Sequence, residues 1–255
     1  MFKIYLLSFF PLLLIAFGTW LVSLWKHDAS IVDSVWSVFF LAAATYFTIV
    51  LPMTGPRTII LLALLGLWAI RLCAHITWRN WGHPEDSRYQ AIRQHNEPNF
   101  AWKSLYLVFV LQALLAWIIA ASLLVVLANP KPLQWSDYLG IALTLFGVGF
   151  ESLADWQLAN FKAKLENKGK VMDTGLWHYT RHPNYFGEFC VWWGFFLLAI
   201  ASGAWVTIIS PLIMSFLLLK VSGVPMLEKD IIQRRPAYRD YATRTNAFFP
   251  GLPKP

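Results

Sequence analysis

The sequence predicts an all-α integral membrane protein of seven transmembrane helices, with the N-terminus outside, the C-terminus cytoplasmic and a cofactor pocket open to the cytoplasm. Three observations predict it. First, 57% of the 255 residues are hydrophobic and only 14% are charged, where a soluble domain is about a quarter charged. The mean hydropathy is +0.50. Second, the apolar residues fall into seven runs of spanning length. Third, the basic residues crowd into alternate connections. This composition excludes a disordered chain, a disulfide scaffold and almost every soluble enzyme class.

A hydrocarbon core of about 30 Å takes roughly 20 apolar residues per helix. The runs are 4–25, 32–51, 58–77, 104–128, 136–158, 185–201 and 204–222. Lys3 precedes the first run, but no small-residue cleavage site follows it, so it reads as a retained helix and not a signal peptide. Outer connections such as Pro52–Pro56 and Asn129–Gln134 are short and turn-like. Segments 78–102, 159–184 and 223–255 are long and rich in His, Arg, Asp, Glu, Asn and Tyr. The whole of 1–255 therefore reads as one membrane domain, with these three segments capping its cytoplasmic side.

Seventeen of the 21 Lys and Arg residues lie in one set of connections. They begin with Lys26, Arg79, Arg88, Arg93 and Lys103 and end with Arg239, Arg244 and Lys254. The opposite set holds only Lys3, Arg57 and Lys131, and Arg71 lies within the third run. Positive residues stay on the cytoplasmic side, which fixes the orientation. The same bias accounts for the net charge of +7 without a nucleic-acid partner. Cys73 and Cys190 both sit in apolar runs and read as buried small hydrophobes.

Ionisable groups within a spanning helix are costly and mark candidate sites. Here they are Asp33, Arg71, His75, Glu151, Asp155 and Glu188. All fall in the cytoplasmic half of their helices. Arg71/His75, Glu151/Asp155 and Asn184/Glu188 are i,i+4 pairs, so each pair shares a helix face. An ion or proton pathway would distribute such groups through the full depth of the bilayer. A polar pocket at one depth suits a charged cofactor from water and an apolar substrate from lipid. His83, His95 and His178 lack metal-ligand spacing, and no metal is expected.

The densest motif is Arg181-His182-Pro183-Asn184-Tyr185-Phe186-Gly187-Glu188. Proline suits the first turn of a helix, where its missing N–H costs nothing. The sixth helix should begin there with its positive dipole end facing the pocket. No GxGxxG or P-loop is present, so any dinucleotide must be held by side chains and helix ends. A dinucleotide near −4 in charge would need the cations of the cytoplasmic segments.

This motif, preceded by Gly-x-Gly-x-Glu-x-x-x-Asp at 147–155, resembles the steroid 5α-reductase superfamily, specifically its bacterial branch. Asp33-x-x-Trp36, Arg79-Asn80-Trp81 and Glu85-Asp86-x-Arg88-Tyr89 fit the same resemblance. So do Leu227-Glu228-Lys229, Tyr238-x-x-Tyr241, Arg244-Thr245 and Phe249-Pro250. The resemblance covers roughly residues 28–250. It implies a bacterial inner-membrane enzyme with NADPH as hydride donor, reducing a carbon–carbon double bond conjugated to a carbonyl in a lipophilic substrate.

Carried over by position, the resemblance implies that Glu151, Asp155 and Lys162 line the adenosine and ribose side. The steroid enzymes have Asn, Asp and Arg there. Arg71, His75, Arg79 and Asn80 would face the cofactor from the third helix and its loop, with Arg181 and His182 at the start of the sixth. Asn184 and Glu188 would hold the nicotinamide amide. Glu228, Tyr238, Tyr241 and Arg244 would close the cap over the phosphates.

Reduction of an enone also needs a group that polarises its oxygen as enolate charge develops. In the steroid enzymes a second-helix Glu does this with a third-helix Tyr. Here Asp33 is the nearest second-helix acid, its pKa expected to rise on burial, and Trp68 stands near the Tyr position. Asp33 is the expected acid or substrate anchor, with Tyr185 and Tyr179 as alternative proton donors and Glu188 completing the catalytic set. Trp36 and Trp68 would line the substrate pocket with Asp33. Two other readings remain open. One is an S-adenosylmethionine-dependent methyltransferase of the isoprenylcysteine carboxyl type, which shares an Arg-His-Pro-x-Tyr start. The other is a non-enzymatic lipid- or sterol-binding membrane protein.

Overall fold

The computed structural model describes residues 1–51, 55–221 and 223–254, leaving aside the side chains of Pro225, Met226, Lys229, Asp230 and Gln233. The turn expected over Pro52–Pro56 thus lies largely outside the described residues. All regular structure among them is helical. Every apolar run forms a helix: α1 (Phe2–Lys26), α2 (Ile31–Val50), α3 (Pro56–Asn80), α5 (Phe100–Leu127), α6 (Trp135–Ala163), α8 (Pro183–Ile200) and α9 (Trp205–Val221). Short helices α4 (Ser87–Asn96), α7 (Leu176–Tyr179), α10 (Val224–Arg234) and α11 (Tyr238–Arg244) occupy the polar segments. Five helices, α1, α2, α3, α5 and α6, are long and apolar enough to cross a membrane. Their exposed Ile, Leu, Phe and Trp side chains suit lipid, because helices satisfy their backbone internally and can show apolar groups on every face.

The chain divides into two compact units, Met1–Tyr138 with Leu197–Ser210, and Leu139–Phe196 with Pro211–Pro255. In the first unit α2 packs on α1, α3 and α5. Its buried stripe Phe39, Phe40, Ala43, Ala44 and Phe47 recurs at three and four residues, the spacing of one helix face. Leu61, Leu65 and Trp68 of α3 are buried in the same core, and the Ser37 hydroxyl donates to the Ala69 carbonyl at 2.8 Å. At the far end of this unit Arg57 opens α3. Its Nε and Nη2 donate to the two oxygens of Asp137, each at 2.6 Å. Both side chains have 0% exposure. Arg57 also donates to the carbonyls of Lys131 and Pro132. One of the three cations on the sparse side of the charge count is therefore a buried structural pair.

In the second unit α6 and α8 meet through glycine. A Cβ added to Gly187 would lie 2.6 Å from Glu151 Cβ and 2.7 Å from the Gly147 carbonyl oxygen. Two turns along, a Cβ on Gly194 would lie 2.8 Å from the Gly140 carbonyl oxygen. Glycines seven residues apart on each helix thus meet in antiparallel order, letting the backbones approach where larger residues would hold them apart. α8 begins at Pro183, as its sequence predicts. The segment after α11 is fastened to this unit. The Thr180 hydroxyl donates to the Phe248 carbonyl at 2.7 Å, and the Phe248 and Phe249 rings pack edge-on against Phe186 and Phe189.

Candidate functional site

Asp33 lies in the first turn of α2, and the chain returns to it through α4. Asp86 caps α4 by accepting the Arg88 N–H at 2.9 Å, a role suited to a short side chain at that position. The first turn so started brings Arg88 and Tyr89 to Asp33. Arg88 Nη2 donates to Asp33 Oδ2 at 2.7 Å, while its Nε donates to Asp86 Oδ1 at 2.9 Å. The Tyr89 hydroxyl donates to Asp33 Oδ1 at 2.5 Å, and Gln112 Nε2 of α5 donates to that same hydroxyl oxygen at 2.9 Å. Burial pushes the Tyr89 phenol well above its ordinary pKa, and the Asp33 charge adds to the effect. Burial disfavours the Arg88 cation, but the charge of Asp33 and the contacts with Asp86 outweigh it and raise its pKa. The result is a neutral phenol held between an amide donor and a carboxylate that is itself paired with a guanidinium.

The other residues expected in this unit lie on α2 and α3. Trp36 stands one turn from Asp33 and meets Phe40 edge-on with centroids 5.2 Å apart. Trp68 is fully buried, its ring 5.8 Å from that of Phe40. Arg71, His75, Arg79 and Asn80 occupy the last turns of α3. Arg79 Nε donates to Asn80 Oδ1 at 3.1 Å, and the His75 ring is 6.1 Å from that of Trp78.

In the second unit Glu151, Asp155 and Glu188 are all buried. Glu151 lies against Gly187 at the helix crossing, and Asn184 Nδ2 donates to Asp155 Oδ1 at 3.3 Å. The structure therefore brings Glu151, Asp155 and Asn184 to the α6–α8 contact, with Glu188 one turn further along α8. Lys162 is exposed in the last turn of α6.

Arg181, His182 and Glu228 form a closed cluster. Arg181 forks onto Glu228 through Nε and Nη2 at 2.7 and 3.1 Å, and its Nη1 donates to the carbonyls of Ala242 and Thr245 at 2.8 and 2.7 Å. His182 Nε2 is 3.0 Å from Glu228 Oε1, and the Tyr185 ring stacks on His182 with centroids 5.7 Å apart. Burial pushes the Glu228 carboxyl up, but the hydrogen bonds from His182 and Arg181 and the guanidinium charge hold it down at about 2. The Tyr241 hydroxyl donates to the Trp177 carbonyl, and Tyr238 and Tyr241 are both buried. In this geometry Arg181, His182, Glu228 and Tyr241 fasten α10, α11 and the loop before α8 to one another. Arg244 stays half-exposed, 3.6 Å from Asp173.

Three members of these networks are absent from the expected site. Arg88 and Tyr89 belong to a motif visible in the sequence, but nothing local says that α4 folds back onto Asp33. Gln112 is a neutral residue in an apolar run, so a search for ionisable groups passes over it. No group of three or more His, Cys, Asp or Glu suited to a metal ion occurs among the described residues, and the carboxylates of α6 and α8 suit hydrogen-bond donors instead.

Helices of spanning length and buried polar networks near helix ends define a polytopic helical membrane protein with a polar site. The chain belongs to the family described as "Protein of unknown function (DUF1295)", which matches residues 19–245 and is part of the steroid 5α-reductase-like group. An uncharacterised protein of the fission yeast Schizosaccharomyces pombe is 25% identical over 91% of this chain and 76% of its own length. No solved structure matches.

Proposed function

We propose that the protein is an NADPH-dependent reductase of a carbon–carbon double bond conjugated to a carbonyl in a lipophilic substrate. It would span a bacterial inner membrane seven times, with the C-terminus and the cofactor site facing the cytoplasm. The observation that carries the reading is the Tyr89 hydroxyl, buried and donating to Asp33 Oδ1 at 2.5 Å. Membership in the steroid 5α-reductase-like group supports it.

The residues of the second unit fit the cofactor chemically. Glu151, Asp155 and Glu188 are buried acceptors suited to ribose hydroxyls and a carboxamide NH2. Lys162 and Arg244 are exposed cations suited to phosphate. NADPH, when bound, supplies the hydride. Tyr89 keeps its proton at Oη because burial and the Asp33 charge resist phenolate formation. That one proton is held by Asp33 Oδ1, so the phenol would serve an enone oxygen by turning this hydrogen bond from Asp33 to the substrate as enolate charge develops. Arg88 holds the Asp33 carboxylate in place, and Asp33 orients the phenol. Gln112 fixes the other side of that oxygen.

The test uses purified protein in detergent, with thermal stability measured against NADPH, NADH and S-adenosylmethionine, then NADPH absorbance followed with 3-oxo-Δ4 steroids and enone lipids. NADPH should stabilise the wild type and Tyr89→Phe alike. Tyr89→Phe should lose roughly 10²–10⁴ in turnover, the usual contribution of a positioned proton donor. Stabilisation by S-adenosylmethionine alone would overturn the reading in favour of a methyltransferase.

A further inference from the structure

At the end of the first unit where α1 and α3 finish and α2 begins, a cleft of about 510 Å³ opens, lined among others by Lys26, His27, Ser34, Thr77, Asn80 and His83. Its two carboxylates are already engaged. Asp28 Oδ1 accepts the Ser30 N–H and hydroxyl at 2.8 and 2.6 Å. Glu85 takes the Arg93 fork at 2.8 and 2.9 Å and the Ala29 N–H at 2.7 Å. Lys26 has no carboxylate partner among the described residues, and its Nζ stands 5.6 Å from the centroid of the Trp81 ring. The Asn80 amide oxygen accepts from Arg79, which leaves its NH2 to donate. Arg93 neutralises Glu85, while Asp28 is met among the described residues only by the neutral Ser30 donors and keeps its charge. What the cleft offers an anion is therefore the Lys26 ammonium with the Asn80 amide and the Ser34 and Thr77 hydroxyls.

The cleft continues into an apolar surface. Val22 lies one turn before Lys26 on the same face of α1 and is 45% exposed. Ile70 lies two turns before Thr77 on the same face of α3 and is 65% exposed. Trp25 and Trp78 are exposed at the same helix ends, where tryptophan rings sit at headgroup level. A ligand that satisfies both parts carries a phosphate for the cleft and hydrocarbon for the stripe.

We infer that this cleft binds the phosphate headgroup of a membrane lipid. The inference stands on this cleft alone and not on the reductase reading. It is tested on the full chain in a neutral maltoside detergent by thermal shift against dioctanoyl phosphatidate, dioctanoylglycerol and inorganic phosphate. Phosphatidate should raise the unfolding midpoint and dioctanoylglycerol should not. The half-saturating phosphatidate concentration should rise about tenfold in Lys26→Gln, the loss of one charge-assisted contact, and stay near wild type in Lys26→Arg. NADPH binding by Lys26→Gln should be unchanged. Equal stabilisation by inorganic phosphate would show a free-anion site and overturn the lipid assignment. So would no response to phosphatidate, or an equal response in Lys26→Gln.

Discussion

Substituting alanine for Gly187 puts one methyl group into the α6–α8 crossing and tests whether that close approach builds the carboxylate cluster. The added Cβ would lie 2.6 Å from Glu151 Cβ and 2.7 Å from both the Glu151 nitrogen and the Gly147 carbonyl oxygen. Two of these atoms are backbone, so no side-chain rotation relieves the contact and the helices must part. Overpacking of this kind costs about 1–3 kcal/mol. The rigid partners place it at the upper end. Alanine returns about 1 kcal/mol of helix propensity relative to glycine, which leaves a net loss of about 2 kcal/mol.

Gly149→Ala is the internal control. It lies on α6, two residues from Gly147, but nothing stands within 4 Å of its added Cβ. Propensity alone then operates, and that variant should be neutral or up to about 1 kcal/mol more stable. The assay is thermal unfolding in detergent, where about 2 kcal/mol corresponds to a midpoint shift of roughly 4–8 °C for a chain of this size. NADPH-induced stabilisation should also be lost in Gly187→Ala, because Glu151 is the atom group displaced. A Gly187→Ala variant as stable as wild type, or a Gly149→Ala variant equally damaged, would refute the crossing as the source of the constraint.

Arg57→Met should lose about 3–5 kcal/mol by stranding a buried Asp137 charge, whereas Arg57→Met/Asp137→Leu should recover much of it; denaturation of the two variants in one detergent separates them. The Glu228 carboxyl sits at about 2 in the folded protein, below the ordinary glutamate value of about 4.3. Its contribution is therefore complete above that ordinary value and disappears as pH falls through about 2. Glu228→Gln should flatten this acid limb in a stability profile from pH 7 to pH 2, and an unchanged limb would assign it to other groups. Gln112→Leu should cost about 1 kcal/mol through the lost hydrogen bond to Tyr89 and lower turnover without changing NADPH-induced stabilisation.

The helices were legible because lipid imposes one strong rule, about 20 apolar residues per span, and each run that obeys it forms a helix. Pro183 was legible for a local reason, since its fixed φ and missing N–H suit a first helical turn. Glu151/Asp155 and Asn184/Glu188 were each legible as a face because i,i+4 spacing acts within one helix, while the meeting of Asp155 and Asn184 across α6 and α8 depends on where Gly147 and Gly187 let the backbones approach. Partners at longer range were not legible. Arg181 and Arg88 are alike in sequence, each a cation near a helix start, and only the folded chain shows that one is spent on Glu228 and two carbonyls and the other on Asp33. Asp33 was found because a charge in an apolar run is conspicuous. Tyr89 and Gln112, which govern what that charge can do, are neutral, and their hydrophobic and polar neighbours carry no mark of the 56 and 23 residues separating Asp33 from Tyr89 and Tyr89 from Gln112. A membrane site's charges can thus be read from its sequence, but the neutral groups that set their chemistry are fixed by tertiary return of the chain.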